Sequence, residues 1–196
     1  MARTQSENYA DIRREILRRS AALFARVGYS NASIADLAKA NRVSRGLLYH
    51  YFDSKEKILA EMLSEHLDYL RDEVRKAAAR GADAEARFRA TVRAMVLINA
   101  GSKDLQIVLL HDLQNLEPAD RGAIVRKQRD IVAILSGLVR ACDARGKIDG
   151  RTLKAQTMML IGMINYTYIW YDPAGPVTPE EYAALVSGTY LGGLVA

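Results

Sequence analysis

Ser33-Ile34-Ala35-Asp36-Leu37-Ala38-Lys39-Ala40-Asn41-Arg42-Val43-Ser44-Arg45-Gly46-Leu47-Leu48-Tyr49-His50-Tyr51-Phe52 is the stretch whose reading decides the fold. Ser33 and Ser44 each stand where a side-chain oxygen can accept the free N–H groups of a following helix. Asp36 adds negative charge near the positive end of the first helix. The punctuation predicts a helix over about 34–40, a tight turn at Asn41-Arg42-Val43, and a second helix over about 45–51. Two short helices joined by such a turn make a helix-turn-helix, whose second helix must offer side chains to base edges. Leu47, Tyr51 and Phe52 are expected to turn inward, and Arg45, Leu48, Tyr49 and His50 outward. Arg45 can make the bidentate guanine contact, and Gly46 leaves room for close backbone approach. Tyr49 and His50 suit phosphate or thymine. Lys55, beside the free N–H groups of the next helix, suits a phosphate.

Outward from this core the 3.6-residue period dominates, with no convincing strand alternation. Ile12, Ile16, Leu17, Ala21, Leu23 and Phe24 stripe a helix over about 9–27 that Gly28 ends. Ser54 caps a long helix over about 55–79. Further helices are expected over about 84–100, 103–113, 118–145, 151–171 and 179–194. Pro118 suits a first helical position, and Thr178-Pro179-Glu180-Glu181 is a capping box. The reading is all-α with nine helices, divided into a helix-turn-helix domain over 1–57 and a helical body over 58–196.

The 196-residue chain carries a formal charge of +5, and all of it falls in residues 1–57, where eleven Lys/Arg face six Asp/Glu. Such a split suggests a polyanion-binding module joined to a neutral body. Arg13, Arg14, Arg18 and Arg19 read as a solvated basic face. Cys142 is the only cysteine, so a disulfide framework and a thiolate metal site are both excluded. The three histidines lie far apart with no glutamate at metal spacing, and the sequence has no nucleophile elbow, phosphate loop or dinucleotide fingerprint. A non-enzyme without metal or cofactor is expected. The start lacks a secretory apolar stretch and no span suits a membrane, so a cytoplasmic protein without a membrane partner is expected.

Leu23-Phe24-Ala25-Arg26-Val27-Gly28-Tyr29, Ser33 to Ala38, Val43 to Phe52 and Ser54-Lys55-Glu56-Lys57 together resemble the DNA-binding domain of the TetR family of bacterial repressors. The resemblance spans about fifty residues in the family's order and spacing. It implies that Ser33 contacts phosphate and that Arg45, Tyr49, His50 and Lys55 line the DNA face, with Ser44 and Gly46 among them. Arg42 departs from the pattern, because that turn position is usually glycine. Either the turn shifts toward Asn41, which tolerates positive φ, or Arg42 adds a phosphate contact.

The family likeness also implies an effector pocket and a dimer. Candidate pocket residues in the apolar helices are Met95, Leu109, His111, Met158, Met163, Asn165, Tyr166, Ile169 and Trp170. Methionines make adaptable walls, and the sparse polar groups would orient a ligand. The last two helices, with Ile161, Gly162, Leu185, Gly188, Tyr190, Leu191 and Gly192, would form a four-helix bundle with a second subunit. A homodimer would then read a palindromic double-stranded operator. Leu116-Glu117-Pro118 with Arg121, and Trp170 to Glu181, resemble a subgroup that often responds to acyl-CoA thioesters. Arg126, Lys127 and Arg129 would then meet the phosphates of such a ligand. An unrelated hydrophobic or drug-like effector, and a DNA-binding protein with no effector, stand as alternatives.

Overall fold

The computed structural model describes residues 5–143, 146 and 148–195. Among these, every regular element is helical: α1 (Gln5–Val27), α2 (Ile34–Asn41), α3 (Arg45–Tyr51), α4 (Lys55–Ala78), α5 (Ala84–Gly101), α6 (Lys103–His111), a 3-10 turn at Leu113–Asn115, α7 (Pro118–Cys142), α8 (Leu153–Asn165), α9 (Thr167–Trp170) and α10 (Pro179–Val195). Arg145, the expected end of the seventh helix, lies outside the described residues. No helix among them is long and apolar enough to cross a membrane.

The chain divides into two compact units. One comprises residues up to His66 together with Asp104–Ile124; the other comprises Leu67–Lys103 and residues from Val125 onward. The DNA-reading stretch therefore shares its unit with the first half of α4, with α6 and with the first turns of α7.

In the first unit, Ile16, Leu17 and Phe24 of α1, Leu37 of α2, Leu48 of α3 and Ile58, Leu59 and Leu63 of α4 are buried together. Each such side chain contributes roughly 1.5–3 kcal/mol on removal from water. Arg13 does not belong to a solvated face. Its guanidinium donates to Glu61 and Glu65, one turn apart on α4, and lies 5.4 Å over the Phe52 ring. One cation thus ties α1 to α4 across the C-terminus of α3. Its neighbours are paired along α1, Arg14 with Asp11 and both Arg18 and Arg19 with Glu15.

In the second unit α10 packs chiefly along α5, with Phe88 stacked on Tyr190 at 5.4 Å. The single helix expected over 151–171 is broken at Tyr166. The Met163 carbonyl accepts the Tyr182 hydroxyl (2.6 Å) and the Ile164 carbonyl accepts the Thr167 hydroxyl (2.8 Å). Side chains thus engage the carbonyls that would have carried the helical ladder onward. Thr178 and Glu181 form the expected capping box of α10.

Candidate nucleic-acid interface

Each helix of the reading head is set by its cap. The Ser33 hydroxyl accepts the Asp36 N–H (3.1 Å) and donates to the Asp36 carboxylate, which also accepts the Ser33 N–H (3.0 Å). These bonds hold the Asp36 carboxyl below its usual range. Ser33 is therefore committed to its capping box, and the N–H groups of the first turn of α2 are what the helix offers outward. Ser44 Oγ accepts the Leu47 N–H at 3.0 Å and starts α3.

The turn does not shift. Arg42 itself takes the left-handed conformation, φ 58° and ψ 39°, and its N–H bonds the carbonyls of Ala38 and Lys39. Asn41 stays helical and buried, with Nδ2 donating to Leu37 O (2.8 Å) and Ser20 Oγ (3.2 Å). The Asn41 side chain is needed inside, so the left-handed residue falls one place later.

α3 corrects the inward and outward assignment of its two leucines. Leu48, expected outward, is 1% exposed, and Leu47, expected inward, is 41% exposed. Leu48 and Phe52 are four residues apart and form the anchoring face. Arg45, Gly46, Leu47, Tyr49 and His50 remain on the outside. A Cβ placed on Gly46 would meet only Ser44 Oγ, at 3.9 Å, so nothing in the chain's own fold requires glycine there. Tyr9 of α1 extends this surface, edge-on to His50 at 6.1 Å and tilted over Tyr51 at 4.5 Å.

Lys55 stands differently from expectation. Its Nζ donates to the carbonyls of Tyr29 and Ala32, both at 3.0 Å, and sits 4.1 Å from the Tyr29 ring. Two of its three donors are thus used within the chain. It borders a cleft of about 320 Å³ shared with Ser33, Ile34, Tyr49, Asp53, Ser54 and Glu56. The two carboxylates there oppose an anion, so the electropositive part of the surface is the turn and α3, at Arg42 and Arg45. Burial and a hydrogen bond to Glu56 push the Tyr29 phenol well up from its ordinary value.

The nine candidate pocket residues are divided between the two units. Leu109 (buried) and His111 (exposed) belong to the unit of the reading head, and the other seven to the second unit. Met95 is buried, and Met163 and Asn165 are half-buried. Asn165 Oδ1 accepts from Nδ2 of the buried Asn99 at 3.2 Å. Met158, Tyr166, Ile169 and Trp170 are about half exposed or more. Lys127 pairs with Asp68 at 2.5 Å, while Arg126 and Arg129 are exposed. The expected dimer face also needs revision. Tyr190 and Leu191 are buried, whereas Gly162, Leu185, Gly188 and Gly192 are exposed.

Sequence reasoning missed Asp112. It is 8% exposed and its carboxylate accepts the Tyr29 N–H and the Asn115 Nδ2 (3.3 Å). No spacing signal distinguishes it from any polar residue at a helix end. Among the described residues no group of His, Cys, Asp and Glu is placed to hold a metal.

Residues 16–62 match the family model described as bacterial regulatory proteins, tetR family, and residues 81–194 match the tetracyclin repressor-like C-terminal domain. The chain is 28% identical over 189 residues to the HTH-type transcriptional repressor KstR2 of Rhodococcus jostii, covering 94% of this chain and 91% of that one. A TetR-family transcriptional regulator from Bordetella parapertussis is 37% identical with a TM-score of 0.88, over 92% of this chain and 94% of that one. AibR, solved in complex with isovaleryl coenzyme A and operator DNA, is 26% identical with a TM-score of 0.79, over 91% and 97%.

Proposed function

The chain belongs to the TetR family of bacterial regulatory proteins and is a ligand-responsive, DNA-binding transcriptional repressor, and from that premise we propose how it reads DNA, pairs and responds. The observation that carries the reading is the sorting of α3: Leu48 and Phe52 anchor it, while Arg45, Gly46, Leu47, Tyr49 and His50 stay outward. Arg45 reads a guanine, Leu47 meets a thymine methyl in the place first given to Leu48, and Tyr49 and His50 meet phosphate or thymine. Arg42 and the N–H groups of α2 contact phosphates. The test is selection of duplexes from a random-sequence library, followed by interference mapping on the winner. A palindrome with half-sites ~34 Å or slightly more apart is expected. Arg45→Ala should lose the selected site and keep the dimer; unchanged binding by that variant refutes the assignment.

Pairing rests on two stripes. Ala155, Met158, Met159 and Gly162 are exposed on one face of α8, with Tyr166 exposed just past its end, and Glu181, Ala184, Leu185, Gly188, Thr189 and Gly192 on one face of α10. Both follow the helical i, i+3, i+4, i+7 period. Exposed apolar stripes with glycines that admit close approach suit a second copy of the chain.

The effector proposed is an acyl-CoA thioester. AibR, to which the chain is similar, was solved with isovaleryl coenzyme A. Within this chain the Asn99–Asn165 pair supplies polar groups on α5 and α8, the helices that carry the apolar Met95 and Met163, and Arg126 and Arg129 are the cations for the phosphates, since Lys127 is held by Asp68. Isovaleryl-CoA and longer acyl-CoAs should release the selected DNA while free CoA should not. If no thioester releases it, the effector class is wrong even though the DNA reading stands.

A further inference from the structure

The loop from Gly28 to Ser33, which delivers the chain into α2, is held from outside through Tyr29, Ser30 and Ala32. The Tyr29 and Ala32 carbonyls accept the Lys55 ammonium. The Tyr29 hydroxyl donates to Glu56 Oε1 at 2.7 Å, and its ring packs edge-on against Phe24 at 5.2 Å. These contacts belong to α1 and the first turn of α4. The remaining grip comes from the corner where α6 passes into the 3-10 turn. There the Asp112 carboxylate takes the Tyr29 N–H, and Asn115, itself bonded to Asp112, reaches Ser30 Oγ at 3.5 Å.

A carboxylate this buried is costly unless its hydrogen bonds are made. Its backbone partner is the N–H of Tyr29, four residues ahead of the cap of α2. The loop between is short and pinned by Lys55, so a displacement of the corner passes to Ser33 and the first turn of α2. We propose that Asp112 is a positioning residue for operator binding, through which the α6 corner sets where the N-terminus of α2 meets phosphate. The proposal rests on the DNA-binding reading above and names a control point on it. Asp112 touches no DNA in this scheme. Its effect is confined to the phosphates that α2 faces, while the guanine read by Arg45 on α3 is reached as before.

The test uses the full-length chain and the duplex selected by the wild type. Asp112→Ala should bind roughly tenfold more weakly, the size of one lost charge-assisted hydrogen bond. In ethylation interference the phosphates facing α2 should stop interfering, while guanine N7 methylation at the Arg45 contact should interfere as in the wild type. Asp112→Asn, whose amide oxygen still accepts the Tyr29 N–H, should restore both affinity and pattern. Asn115→Ala, at a half-exposed surface position, should show a smaller loss with the same selectivity, and decides the matter should Asp112→Ala fail to fold. Wild-type behaviour of Asp112→Ala, or a uniform loss over phosphates and guanine alike, overturns the proposal, as does an Asp112→Asn variant no better than alanine. A wild-type chain that selects no sequence overturns the DNA-binding reading itself, which these outcomes leave intact.

Discussion

Replacing Arg42 by glycine should make the protein more stable and a weaker DNA binder, through two separable causes. Arg42 is the one described non-glycine residue with positive φ, at 58°. The left-handed region costs an L-residue about 1–2 kcal/mol. Glycine occupies it freely but gains freedom in the unfolded chain worth about 0.4–1 kcal/mol. The difference leaves a net stabilisation of about 0.5–1 kcal/mol, or ~1–4 °C in Tm for a chain of this length. The backbone bonds from the Arg42 N–H to Ala38 and Lys39 do not depend on the side chain and should persist.

The second cause is charge. If Arg42 neutralises one phosphate, its loss lowers the slope of log K against log salt by about 0.9 per subunit contact. Arg42→Ala separates the causes, because it removes the charge and keeps the strained backbone. Urea denaturation at one fixed protein concentration reads the first effect, and filter binding across a salt series reads the second. A glycine variant no more stable than the alanine variant would refute the strain argument. An unchanged salt slope in both would refute the phosphate contact.

Gly46→Ala should fold as well as the wild type, or better by up to about 1 kcal/mol from helix propensity, since its Cβ meets only Ser44 Oγ; operator binding should fall, because the added methyl stands where the groove approaches, and equal binding would remove the reason for the glycine. Buried His66 has its pKa pushed down to about 4 by desolvation, so the native state keeps it neutral while the unfolded chain protonates it near 6.5. Its contribution is present above pH 6.5 and is lost as pH falls toward 4, by up to about 3 kcal/mol; His66→Leu should flatten the urea-measured stability between pH 7 and 4, and an equally steep profile would sink the assignment. Leu185, 59% exposed on the α10 stripe, should tolerate Leu185→Asp with helicity intact while sedimentation shows monomers; a surviving dimer would place the interface elsewhere.

The helix-turn-helix was legible because its signals are local. Ser33 with Asp36, Ser44, Ser54 and the Thr178–Glu181 box all cap the helices they were expected to cap. The choice between Leu47 and Leu48 was not legible, because adjacent leucines followed by Tyr51 and Phe52 offer two i, i+4 pairs of equal quality. Tertiary burial of Leu48 and Phe52 selects the second. On α10, too, apolar and small residues set all round the helix show no phase in sequence. Packing along α5 divides it, taking Tyr190 inward and leaving Leu185 and Gly188 out. The break at Tyr166 depends on the Tyr182 hydroxyl, contributed from sixteen residues further along the chain, and Asp112 on a partner in the α1–α2 loop. Such contacts leave no periodicity to read.

The same distinction changes the meaning of the basic N-terminal segment. Its formal excess of +5 suggested a broad cationic face, yet the arginines of α1 are largely answered at home. Arg13 is divided between Glu61 and Glu65, and Glu15, held down to about 2 by its hydrogen bonds, accepts from both Arg18 and Arg19. Paired charges project little field beyond a Debye length of about 8 Å at physiological salt. The cations that face outward near the reading helix are those of the turn and of α3, Arg42 and Arg45, with Lys39 beside them. With few of the described cations facing outward at the reading helix, the head's grip depends on how well α2 and α3 are placed. In such a protein the α6 corner at Asp112 and the Arg13 tie carry consequences for binding that a more heavily charged head would mask.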